Sequence, residues 1–276
     1  MKKTILSFIR EGLGVLAVAA IFLVPFYFVL INSFKDSKEA SWMQITLPSK
    51  FHILDNYGEV LTYQDGAVLR GFMNSTVITV LSVVVLIIVC SMVGYVVDRR
   101  RGKYSGLINA VILSGLIVPP SIVPTYWVLN MLHLFKTIPG IVLVEVAVNF
   151  SFVTLLYSGF MRTISVEIDE AATIDGCGRH RLFFQIILPL LKPVTSTITI
   201  LSFVNIFNDF SNPLYFLPGT KNVTVQLTLY YFMSMFDTEW NLLFADIVLI
   251  CIPTLVLFIF FNKKIIAGMT SGALKA

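Results

Sequence analysis

The stretch G-F-M-N-S-T-V-I-T-V-L-S-V-V-V-L-I-I-V-C-S-M-V-G-Y-V-V, residues 71–97, carries no charged side chain from end to end. Crossing a bilayer takes about 20 mainly apolar residues in a helix. Inside hydrocarbon an open strand would leave its backbone groups unpaired, so such a stretch must be helical. Working outward, five further runs of this kind lie at residues 13–33, 105–132, 138–161, 193–214 and 242–262, beside a second-span core at 72–97. The expectation is an all-α membrane protein with six transmembrane helices in a single domain over residues 1–276.

Composition agrees with that reading. Of the 276 residues 57% are apolar and 13% charged, about half the charged share of a soluble protein. A soluble fold of this size lacks the polar surface to cover itself. The 23 phenylalanines suit an exterior that faces lipid, and the net charge of +4 does not suggest nucleic acid. Three cysteines, Cys90, Cys177 and Cys251, form no spaced framework and read as small packing residues. The N-terminal run behind Lys2, Lys3 and Arg10 is longer than a signal-peptide core and lacks a small-x-small site, so it reads as an uncleaved first span. Pro25, the Pro119–Pro120 pair with Pro124, and Pro253 fall inside spans, where they imply kinks or local unwinding.

Orientation follows from Lys and Arg in the connections. With the N-terminus inside, cytoplasmic segments hold 14 and external ones 6, so both termini are expected in the cytoplasm. The cluster Arg99-Arg100-Arg101-Lys103 is explained by topology alone, with contact to anionic lipid or a partner as the other reading. Two connections are too long for turns. The external one, about 35–70, has Trp42, Pro48, Phe51 and Tyr57 to pack on something. The cytoplasmic one, about 162–192, lies between the fourth and fifth spans.

That cytoplasmic loop reads E-A-A-T-I-D-G-C-G-R-H-R-L-F-F-Q-I-I-L-P from Glu170 to Pro189. Ser165 can cap a short helix whose first turn holds Glu167, Asp169 and Glu170, where carboxylates are favoured. Ala171 and Ala172 add helix propensity without bulk, Gly176 permits a sharp bend, and Gly178 loosens it. Pro189 closes a second helix before the next span. The result is a small amphipathic knob shaped for a groove.

The loop resembles the EAA motif of permeases in ATP-binding-cassette importers: E-A-A, three residues, G, nine residues, then I-x-L-P. Glu170, Ala171, Ala172, Gly176, Ile186, Leu188 and Pro189 stand at the fixed positions, and Asp175 sits beside them. The ending Gly268-Met269-Thr270-Ser271-Gly272-Ala273-Leu274-Lys275-Ala276 is similar to the tail of the maltose-transporter type of carbohydrate permease, with Ala276 in place of glycine. The resemblance implies a coupling helix that docks in a cleft of a cytoplasmic ATPase dimer, a second related permease, and an external binding protein that delivers sugar. It also implies that the tail, with Gly268, Thr270, Gly272 and Lys275, reaches toward the ATPase. ATP and magnesium would be bound by that partner, with no cofactor in this chain, and the location would be a bacterial or archaeal cytoplasmic membrane. The motif marks ATPase docking rather than cargo, so a permease for another solute stays open.

Ionisable residues within spans usually face a cavity or the bundle interior. Glu145, Asp209 and Asp246 qualify, at similar depth in the outer half. Asn205, Asn208, Asp209 and Asn212 recur at i, i+3, i+4 and i+7, one helical face. Paired donors and acceptors of this kind suit sugar hydroxyls and would line a translocation path. The alternative is helix–helix bonding to the partner permease, or an outer gate that never touches substrate. No G-x-x-x-x-G-K-[ST] or H-E-x-x-H occurs, and His52, His133 and His180 are scattered. The chain therefore reads as a transporter subunit and not an enzyme. An ion-driven secondary transporter would show internal repeats, and none is found.

Overall fold

A computed structural model describes residues 2–99, 102, 105–233 and 238–273, and the regular structure among these residues is helical, with no strand. The elements run α1 (Lys2–Asn32), α2 (Ser37–Ser41), α3 (Ile53–Arg99), α4 (Ser105–Ile117), α5 (Ile122–Met131), α6 (Ile138–Met161), α7 (Glu167–Ile174) and α8 (Arg179–Arg181). A π-helical segment at Leu182–Ile187 leads to α9 (Leu188–Leu190), α10 (Lys192–Phe207), α11 (Ser211–Phe216), a 3-10 segment (Val225–Tyr231) and α12 (Trp240–Ala273). The chain forms two compact units, one up to Arg70 together with Leu227–Pro253, the other Gly71–Gln226 together with the chain from Thr254.

In the first unit, polar side chains tie the external connection down. Asn56 Nδ2 donates to the carbonyls of Ser33 and Lys35, both at 2.8 Å, and Asn241 Nδ2 donates to Asn56 Oδ1 at 2.9 Å. Lys35 is buried and donates to Asn32 Oδ1 at 3.0 Å and to the Gln44 carbonyl at 2.6 Å. Burial draws its ammonium below the ordinary lysine range, and Glu39 partly offsets this. The apolar residues expected to pack do so in part: Pro48 is buried and Tyr57 lies half-buried against Phe34, while Trp42 and Phe51 stay exposed. α3 is two helices joined by a left-handed stretch, with φ of 45° at Gln64, 55° at Asp65 and 76° at Gly66. The Tyr63 ring next to it packs on Tyr231 and Phe232.

In the second unit α6 is central, buried along Glu145, Asn149, Val153, Tyr157 and Met161, and packed by α4, α10 and α11. Small residues let the backbones approach, as membrane helix pairs require. A Cβ on Gly94 of α3 would stand 2.8 Å from Tyr157 Cβ, and one on Gly115 of α4 would meet the Ser151 side chain.

Among the described residues three helices, Ile53–Arg99, Ile138–Met161 and Trp240–Phe261, are long and apolar enough to cross a membrane unaided. Two bent pairs pass the same test only when taken together, and α1 offers a shorter apolar stretch at Val18–Asn32. One pair is Ser105–Ile117 with Ile122–Met131, the other Arg179–Leu190 with Lys192–Phe207 at 74°, and two of the expected spans are broken in the structure. The run at 105–132 is no single kinked helix: α4 and α5 meet at 117° around Pro119 and Pro120, which lack N–H donors and force their predecessors out of the helical region. The run at 193–214 is likewise α10 followed by α11, interrupted at Asn208–Phe210.

Candidate translocation cavity and coupling loop

The loop at 162–192 folds as a short helix, a turn at Gly176 and a second helical run broken into three pieces, with Pro189 inside the last of them. Ser165 Oγ accepts from Glu167 N at 3.2 Å at the start of α7. The helix ends on a left-handed Gly176, φ 76°, with Cys177 N bonded to the Ala172 carbonyl at 2.9 Å and Gly176 N to that of Thr173 at 3.0 Å. This pair of bonds satisfies the last carbonyls of a helix, and the left-handed residue between them is usually glycine. The chain then turns back through Gly178 into α8, the π segment and α9, where Leu182, Phe183 and Ile187 are buried. Of the motif residues, Ala172 is buried, Ile186 and Leu188 are half-buried, and Glu170, Ala171, Asp175, Gly176 and Pro189 are exposed. Ile174, 85% exposed, stands among them. The loop thus holds itself together along one side and leaves the Glu170–Gly176 side uncovered.

Within the same unit, the polar residues of the fourth and fifth expected spans line a cavity of about 460 Å³. Its walls are Glu145, Val148, Asn149, Val204, Asn205, Asn208, Asp209 and Asn212. Asn205, Asn208, Asp209 and Asn212 do not form a stripe on one continuous helix, as the spacing suggested. α10 stops at Phe207, and the Asp209 carboxylate accepts from Ser211 N at 2.9 Å and Asn212 N at 3.3 Å, opening α11. Pro213, the third residue of α11, falls within the first turn, where N–H groups have no intrahelical partner, so its missing N–H costs the short helix no bond.

The break keeps these side chains together and brings them to α6. Asn212 Nδ2 donates to Glu145 Oε1 at 3.1 Å, and Asn205 Nδ2 to Asn149 Oδ1 at 2.9 Å. Asn208 accepts from Gln226 Nε2 at 3.2 Å and donates to Thr254 Oγ1 at 3.2 Å. Glu145 and Asn149 are buried, while Asn205 and Asn208 are exposed to the opening. Such a wall can bind hydroxyls through both donors and acceptors. Among the described residues no cluster of His, Cys, Asp and Glu could hold a metal.

Asp246 does not line this cavity. It is fully buried in the first unit, where Thr228 Oγ1 donates to its Oδ2 at 2.8 Å. In the tail, Gly268, Thr270 and Gly272 fall in the helical end of α12, and Lys275 lies outside the described residues. Two residues were missed from sequence. Asn149 follows Glu145 by four positions on one helix, a spacing that would have found it. Arg99, read as a topology charge or as a contact to anionic lipid or a partner, bonds Asp169 of the 162–192 loop across 70 positions, beyond any local pattern.

The family model described as binding-protein-dependent transport system inner membrane component matches residues 91–271. The probable starch degradation products transport system permease protein AmyC of Thermoanaerobacterium thermosulfurigenes is 30% identical, over 100% of this chain and 98% of its own. The melibiose/raffinose/stachyose import permease protein MelC of Bacillus subtilis is 34% identical, over 94% and 93%. In fold, the chain is similar to a subunit in the crystal structure of a bacterial ABC transporter that imports the acidic polysaccharide alginate, with TM-score 0.79 and 20% identity over 95% of this chain and 97% of that one. The chain belongs to the inner-membrane permease components of binding-protein-dependent ABC transport systems.

Proposed function

We propose that the cavity bounded by Glu145, Asn149, Asn205, Asn208, Asp209 and Asn212 is part of the path along which this permease subunit passes a sugar or short oligosaccharide. The observation that carries the reading is the set of four carboxamides and two carboxylates on one cavity wall inside the membrane-spanning part. Groups so costly to place in hydrocarbon are retained where a polar solute must pass. Relatives named for starch degradation products and for melibiose, raffinose and stachyose support a saccharide over other cargo. ATP hydrolysis is the work of a partner ATPase. In our reading ATP and magnesium are held there, the Glu170–Pro189 loop docks on it, and a second permease completes six-span halves around the path. Both termini and the coupling loop face the cytoplasm.

The path is tested by uptake of radiolabelled maltotriose and raffinose into cells carrying Asn208→Ala with Asp209→Asn. The asparagine keeps an oxygen for the α11 backbone amides while removing the charge. Losing one or two hydrogen bonds worth about 1 kcal/mol each should lower uptake roughly five- to thirtyfold, with the chain still assembled with its ATPase. Undiminished uptake would remove the cavity from the path.

Orientation is tested on the native Cys177, half-buried at the loop's turn. A membrane-impermeant maleimide should label it in inverted vesicles and not in right-side-out ones. The opposite pattern would put the loop outside and end the coupling reading.

A further inference from the structure

Arg99 is the last residue of α3, and its guanidinium, 10% exposed, spends three N–H groups on three acceptors, one on α7, one on α3 itself and one in the connection after α6. Nε donates to Asp169 Oδ2 of α7 at 2.8 Å, Nη1 to Asp98 Oδ2 at 3.1 Å, and Nη2 to the Ile164 carbonyl, just past the end of α6, at 2.9 Å. One turn earlier on α3, the Tyr95 ring lies 5.6 Å from the ring of Phe183 in the π segment. Tyr95 and Arg99 are i and i+4, on one face of the helix. The end of α3 therefore holds both halves of the coupling loop, the first through Asp169 and the second through Phe183.

A charge that served membrane topology alone would need no partner and would sit in water. This one is largely covered, and its fork is paired with both Asp98 and Asp169. Only a planar guanidinium can reach three acceptors in fixed directions, since a lysine ammonium is a single point at the end of a flexible stem. Asp98 also faces Arg162 at 3.7 Å, whereas Asp169, 14% exposed, has its ion pair with Arg99, so losing Arg99 would leave the Asp169 carboxylate uncompensated and the loop has a strong preference for this one seat on α3.

We propose that Arg99 and Asp169 are a positioning pair that fixes the coupling loop to α3 and carries the loop's displacement into that span. The proposal rests on the reading of Glu170–Pro189 as the ATPase-docking element. It adds that the stroke enters the membrane through the second expected span, and not only through the spans the loop directly joins.

The test uses the full chain, tagged in its own host, with the complex isolated through the tag and reconstituted in vesicles. Sugar taken up per ATP hydrolysed is measured with a mixture of radiolabelled maltotriose, raffinose and arabinotriose. Arg99→Gln and Asp169→Asn should each lower that ratio about tenfold, inside the roughly 5–150-fold range of coupled sites, and the double variant should lower it no further. A merely structural role would reduce the amount of complex and leave the ratio alone. Wild-type ratios in the single variants, or losses that multiply in the double, would overturn the pair. If Arg99→Gln does not accumulate, Arg99→Lys decides: the same loss is expected, and a wild-type ratio overturns the proposal. Absence of any ATPase from the wild-type isolate, or of uptake by the wild type, would instead sink the docking or sugar reading on which the pair depends.

Discussion

Gly94→Leu is expected to leave almost no folded protein in the membrane, and Gly94→Ala to lower its thermal stability by several degrees. The physical reason lies in the crossing of α3 and α6. A Cβ at position 94 would stand 2.8 Å from Tyr157 Cβ and 3.1 Å from the Ser158 backbone nitrogen. Neither neighbour can step aside. Tyr157 is fully buried and its hydroxyl donates to Thr195 Oγ1 at 3.1 Å, which ties α6 to α10 behind it. The added atom must therefore push two helix backbones apart, and overpacking of this kind costs about 1–3 kcal/mol for a small addition and more for a large one. In lipid there is little hydrophobic force to restore the contact, because tails solvate the parted surfaces as well as the helices did. Membrane content and melting of the detergent-solubilised protein are the measurements. Wild-type values for the leucine variant would mean that α3 and α6 do not cross here.

How much of this could be read beforehand depended on whether the signal was local. α6 has the bounds its apolar run gave, and the turn falls at Gly176, the glycine the sequence offered for a sharp bend. The breaks were harder. Pro119 and Pro120 were visible, but a kink and a 117° bend use the same residues, and the choice belongs to the packing around them. At the end of α10 the signal was present and overruled: Asp209 followed by Ser211, Asn212 and Pro213 is a helix start, and the i, i+3, i+4, i+7 count ran straight through it. The carboxamides nonetheless share one cavity, because a capped restart keeps the neighbouring side chains close. Arg99 shows the opposite case. Its partner is 70 residues away, and nothing within a few turns of either residue records the bond.

The coupling loop should prove most sensitive at Gly176, through backbone conformation and not through space. A Cβ there would have nothing within 4 Å, yet φ is +76°. An L-residue in the left-handed region costs roughly 1–2 kcal/mol, asparagine tolerates it, and a β-branched residue is a true outlier there. Gly176→Asn should therefore transport nearly as well as the wild type, Gly176→Ala less well, and Gly176→Val should lose uptake by at least about tenfold, since each 1.4 kcal/mol is a factor of ten. Valine must also give up the bonds from Gly176 N and Cys177 N that close α7, so Glu170, Ala171 and Asp175 lose their fixed places on the open side. The chain itself should reach the membrane in normal amount in all three variants, because the glycine lies outside the packed core. Uptake of labelled sugar and recovery of the ATPase with the tagged chain report the two halves of the expectation. An asparagine variant as inactive as the valine one would reverse the argument: the bare Cα would then be needed by a surface that presses against it, and the turn itself would be incidental.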